Sequence, residues 1–91
     1  MNIPQSYISF LKKCKLSEGT IDKYSYQVPI REEFISVLVK YTGQRDMYQV
    51  TDIAKLKSIV GVVRASSFDI VGNYMYSCGL KKYIQWLESK E

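Results

Sequence analysis

The run Asn73-Tyr74-Met75-Tyr76-Ser77-Cys78-Gly79-Leu80-Lys81-Lys82-Tyr83-Ile84-Gln85-Trp86-Leu87-Glu88 decides the fold class. On a helical wheel Tyr76, Leu80, Tyr83, Ile84 and Leu87 fall within about 100° of one another. Lys81, Lys82, Gln85 and Glu88 take the other side. That is one apolar stripe on a helix, with Asn73 placed to cap its start. A single stripe of this width is not stable in water, so other helices must cover it.

Working back toward the N-terminus, the same period recurs. Thr51 or Asp52 can cap a helix running to about Ala65, in which Ile53, Leu56, Ile59, Val60 and Val63 form a stripe. Ile59-Val60-Gly61-Val62-Val63 is rich in β-branched residues, and a strand over 59–63 is the competing local reading. A helix from Ile30 to Tyr41 carries Ile30, Phe34, Val37, Leu38 and Tyr41 on one face, with Gly43 as its C-terminal cap. Another, near Glu18 to Gln27, places Ile21, Tyr24 and Val28 at spacings of three and four behind Ser17 as N-cap. Pro29 lacks an amide hydrogen and disfavours helical geometry at Val28, so a break is expected there. The first helix, about Gln5 to Lys15, gathers Ile3, Tyr7, Phe10, Leu11 and Cys14 on one side. Met47-Tyr48-Gln49-Val50 reads as extended or irregular with Tyr48 and Val50 inward, and Ser66 to Gly72 reads as a loop.

The expectation is an all-α bundle of four to five short helices. Its core would contain Ile30, Phe34, Leu38, Leu56, Val60, Leu80, Ile84 and Leu87. Ninety-one residues, 46% hydrophobic and 24% charged, fit one domain spanning 1–91. No internal repeat, low-complexity tract or linker appears.

Several function classes are excluded by composition. The chain has no histidine, which removes the usual general base near neutral pH and the commonest metal ligand. Two cysteines, Cys14 and Cys78, cannot build a four-ligand zinc cage. No glycine-rich phosphate loop is present. Glu32 and Glu33 are adjacent, so on a helix they diverge by about 100° and read as a solvated helix start. Eight tyrosines do not make a nucleophile without a cluster of basic groups to stabilise the transition state; Tyr24, Tyr76 and Tyr83 read as core residues with outward hydroxyls. An enzyme, a cofactor and a metal centre are therefore not expected. The first residues lack the pattern of a signal peptide, and no apolar run is long enough to span a membrane. The expected setting is the reducing cytoplasm.

Basic charge attracts phosphate backbones and acidic protein surfaces alike. The net charge is +4, with +3 in residues 1–45 and +1 in residues 46–91. Lys12, Lys13 and Lys15 form one basic arc away from the apolar stripes, and Lys81 and Lys82 form another. Tyrosine and hydroxyl side chains beside lysine, as at Lys23-Tyr24, are common phosphate contacts.

Three segments carry a resemblance. Leu16-Ser17-Glu18-Gly19-Thr20-Ile21-Asp22-Lys23-Tyr24 resembles the opening of the second helix in core-binding domains of tyrosine recombinases. Gly72 to Leu87 is similar to the end of small helical domains of that type, found ahead of nuclease or ATPase domains in restriction-type proteins. Tyr48-Gln49-Val50-Thr51-Asp52 looks like the short connection of both groups. The resemblance implies a SAM-like, integrase-like bundle that holds duplex DNA while a separate nuclease, recombinase or ATPase domain performs chemistry. It places Ser17, Thr20, Lys23 and Tyr24 against DNA from the second helix, and Asn73, Ser77 and Lys81 from the last. Pro29 departs from it, interrupting a helix that the family continues. The alternative function is a protein-interaction or self-association module on the same fold. Either way the expected partners exclude a membrane.

Overall fold

The computed structural model describes residues 1–90, and among them the regular structure is entirely helical. The elements are α1 (Gln5–Lys13), α2 (Glu18–Asp22), a π-helical turn (Lys23–Gln27), α3 (Val28–Ile30), α4 (Glu32–Thr42), a 3-10 turn (Met47–Gln49), α5 (Ile53–Arg64), α6 (Ser67–Val71) and α7 (Met75–Ser89). The segment 59–63 is helical, which removes the strand reading. With α2, the π turn and α3 counted as one continuous rod, six rods are present among the described residues where four to five were expected. The addition is α6, in a stretch expected to be a loop.

Local chemistry explains most ends. Ser17 caps α2 by accepting the Thr20 amide at 3.2 Å, and Asp52, rather than Thr51, caps α5 by accepting the Lys55 amide at 3.1 Å. Gly43 ends α4 in the left-handed region at φ 76°, where its amide donates to Val39. Helix α1 stops at Lys13, two residues earlier than expected, and Lys15 takes φ 61° to turn the chain into α2.

Pro29 does not break its helix. The rod continues to Ile30 and ends at Arg31, whose backbone is extended, so α4 begins at Glu32 rather than Ile30. The π turn that ends two residues before Pro29 widens the helix, with the Val28 amide donating back to Lys23. In α-helical register an amide at position 29 would donate to the Ser25 carbonyl. That carbonyl instead receives the buried Tyr48 hydroxyl at 2.5 Å, from the 3-10 turn. The loss of one backbone donor is thus repaired by a side chain 23 residues away. Tyr48→Phe should therefore destabilise the protein by about 1–3 kcal/mol, the cost of leaving a buried carbonyl without its donor. Tyr26→Phe, on an exposed ring of the same rod, is the control. Equal denaturant midpoints for the two variants would remove the Tyr48 bond from the account.

The buried residues form one cluster. Helix α7 is its spine, packed along α5 and crossed by α1 and the π turn. Gly79 permits that last crossing, because a Cβ there would lie 3.1 Å from Val28 Cγ2 and 3.3 Å from Tyr24 Cδ1. At the other end Tyr7, Tyr48, Tyr83 and Trp86 pack with ring centroids 5.3–5.8 Å apart, joining α1, the 3-10 turn and α7. The Tyr83 hydroxyl donates to the Val50 carbonyl at 2.9 Å.

Of the expected core, Phe34, Leu38, Leu56, Leu80, Ile84 and Leu87 are buried and Val60 is half-buried against them. Ile30 is not part of it. As the last residue before the extended Arg31 it turns outward and is 46% exposed. Tyr41 is likewise exposed, at the solvent side of the last turn of α4. Tyr48 and Val50 point inward as expected, although the backbone forms a 3-10 turn instead of an extended segment; Met47 joins them in the core.

Candidate nucleic-acid interface

A polar groove of about 210 Å³ lies between the α2–π rod and the start of α7, lined by Thr20, Lys23, Tyr24, Gly72, Asn73, Tyr74, Met75 and Cys78. Thr20, Lys23, Tyr24 and Asn73, drawn from two segments about fifty residues apart, thereby share one site. No carboxylate lines it. Three other surface grooves each carry at least one: Glu88 in one, Glu32 and Asp46 in the second, Asp52 in the third.

The first wall is a short helical start. The Ser17 hydroxyl is committed to its cap and donates to Thr20 Oγ1 at 3.0 Å, which leaves the Thr20 proton free to reach a ligand. Lys23, on the π turn, is exposed and has no acidic partner among the described residues. Burial, and then the neighbouring Cys78 thiol, push the Tyr24 hydroxyl above the ordinary tyrosine range, so it stays a donor at neutral pH.

The second wall rests on Asp69. This residue of α6 is 0% exposed, and its Oδ1 accepts the amides of Tyr76 at 2.9 Å and Ser77 at 3.0 Å. Its backbone carbonyl takes the Tyr74 amide at 2.7 Å. Asp69 therefore performs the capping that was expected of Asn73. Asn73 and Tyr74 instead adopt left-handed backbone conformations, φ 55° and 63°, which turn the chain from α6 into α7. The Tyr74 ring is stacked under the Arg64 guanidinium at 4.7 Å.

The remaining expected contacts separate. Ser77, expected against DNA, is instead 0% exposed; its amide is held by Asp69 and its hydroxyl donates to the Tyr74 carbonyl, so it cannot touch DNA. Lys82 is one helical turn beyond Cys78 and shares its side of α7, where Nζ donates to Gln85 at 3.3 Å. Lys81 points about 100° away from Lys82 and lines the α5–α7 groove beside the Lys57–Glu88 ion pair (2.9 Å). The two lysines thus do not form one patch. Lys12, Lys13 and Lys15 are exposed at the end of α1 and in the turn leading to Ser17. Arg64, Tyr74, Met75 and Cys78 were not anticipated at the site. Arg64 is separated from Tyr74 by the whole of α6, and no local spacing announces their stacking.

Among the described residues no group of three or more His, Cys, Asp or Glu side chains is placed to hold a metal ion, and no helix is long and apolar enough to cross a membrane. No protein-family model, curated protein or solved structure matches the chain.

Proposed function

We propose that this chain is a non-catalytic module that binds duplex DNA and positions it for chemistry performed by a separate domain or partner. The observation that carries the reading is the carboxylate-free groove, in which Thr20, Lys23, Tyr24 and Asn73 converge. Hydroxyl, amide and ammonium donors in that arrangement suit a backbone phosphate. Lys12, Lys13, Lys15 and Lys82 are further cations of the surface, and none has an acidic partner among the described residues. The recombinase-like segments agree with this assignment.

The test is duplex binding measured across salt concentrations. With about four to six phosphates neutralised, log affinity should fall with log salt at a slope of roughly −4 to −5. Between 50 and 200 mM salt that is a loss of about 250- to 1,000-fold, and dissociation constants near physiological salt should be around 10⁻⁴–10⁻⁶ M. Lys23→Glu with Lys82→Glu should weaken binding to all sequences alike and make the slope shallower by about two. Lys81→Glu should have the smaller effect, since Lys81 lies off the groove. No binding by wild type at low salt would favour the second reading, a protein-interaction or self-association module. That reading is supported by the groove of about 390 Å³ where the exposed Met1 and Ile30 meet Pro29 and Ile35.

A further inference from the structure

The tip of α6 is apolar and carries no partner. Val71 is 87% exposed and Ile70 53%, and Val71 is the most exposed of the large hydrophobic residues described. Both are β-branched and therefore stiff at χ1. The tip is also held firmly from below. Phe68 packs edge-on against Tyr76 with centroids 5.1 Å apart, and Asp69 fastens the following turn through its carboxylate and its carbonyl. A stiff apolar point on an anchored turn loses little freedom when it is inserted into something.

Its surroundings select the occupant. Gly72, the next residue, lines the carboxylate-free groove with Lys23, and Arg64 lies over Tyr74 of the same wall. The one acidic residue of α6 and its flanking turns is Asp69, which is wholly buried. An apolar point next to a groove that holds Lys23, with no exposed carboxylate in α6 or its flanking turns, is complementary to nucleic acid. There the phosphates meet the cations, and the point meets the apolar faces of the bases.

The geometry points to Ile70 and Val71 as a wedge that enters a base step of bound duplex DNA and unstacks it, while the adjacent groove holds the backbone. This inference rests on the DNA-binding reading and adds to it a preference for deformable sequence. Apolar side chains inserted in this way kink the duplex, and pyrimidine–purine steps yield most easily.

The experiment uses the full chain and a short duplex carrying 2-aminopurine at a central TpA step, with a matching A-tract duplex as comparison. Saturating wild type should raise the 2-aminopurine fluorescence several-fold, and the TpA duplex should bind about tenfold tighter than the A-tract. Ile70→Ser with Val71→Ser should abolish both effects while leaving the salt slope unchanged, since no phosphate contact is removed. Circular dichroism checks that the double variant is folded. Wild type that saturates without a fluorescence rise overturns the wedge and leaves DNA binding intact, whereas absence of duplex binding at low salt overturns both. Self-association that the double variant abolishes, with fluorescence unchanged, assigns the tip to a second copy and also overturns the wedge.

Discussion

Raising the pH above 10 is expected to unfold the protein cooperatively. Tyr7, Tyr48 and Tyr83 share one buried cluster. Burial, and then the charge its tyrosine neighbours would carry, hold the Tyr7 hydroxyl far above the ordinary tyrosine range. Burial followed by Tyr83 and Asp46 does the same for Tyr48. Burial and then Asp46 push Tyr83 up to about 12. Below the unfolded value of about 10, both states keep these protons and pH does not discriminate between them. Above it, the unfolded chain releases three protons that the native state retains, so each further rise in pH favours unfolding. The stability these groups contribute is fully present below pH 10 and is lost as pH climbs through about 12. By pH 11 the loss amounts to about 4 kcal/mol, comparable with the whole stability of a small domain. Phenolate absorbance and far-ultraviolet circular dichroism, followed together, check this. The phenolate signal of Tyr7, Tyr48 and Tyr83 should appear only as helix is lost. Ionisation of Tyr7, Tyr48 and Tyr83 near pH 10 in a folded protein would show that the cluster is open to water.

Leu80→Ala is expected to cost about 2–5 kcal/mol and to lower Tm by roughly 10–30 °C. Leu80 is fully buried on the face of α7 that also carries Tyr76, Tyr83, Ile84 and Leu87. Removing its isobutyl group leaves a hole that close-packed neighbours on α7 and facing elements can only partly fill. Ile30→Ala is the informative comparison. Periodicity assigns Ile30 to the same core, but the structure exposes almost half of it, so its truncation should cost under about 1 kcal/mol. Thermal melts of the two variants discriminate directly. A Leu80→Ala melt indistinguishable from wild type would remove Leu80 from the core. A loss at Ile30 equal to that at Leu80 would place Ile30 within it.

The sequence by itself determined most features that depend on neighbours within about one helical turn; α6, read as a loop, and the ends of α1 and α4 are exceptions. The stripes of α1, α4, α5 and α7, the cap at Ser17, a cap at Thr51 or Asp52, the Gly43 C-cap and the inward Tyr48 and Val50 all follow from side-chain period and local hydrogen bonding. Lys23 and Tyr24 were also legible as a pair, because they are adjacent.

What required the tertiary structure were features whose partner is distant in the chain. Pro29 reads locally as a stop, and only the Tyr48 hydroxyl arriving at Ser25 shows how the rod continues past it. Asn73 and Ser77 read as a polar helix start. The carboxylate of Asp69, folded beneath α7, takes over the capping, buries Ser77 and leaves Asn73 to line the groove. Lys81 and Lys82 look like one patch in sequence, yet a rotation of about 100° puts only Lys81 on the groove where α5 packs against α7. Short-range sterics and hydrogen bonds constrain the helices before they meet. Which polar atoms are left for a ligand is set only when the helices pack and their buried donors and acceptors must find partners.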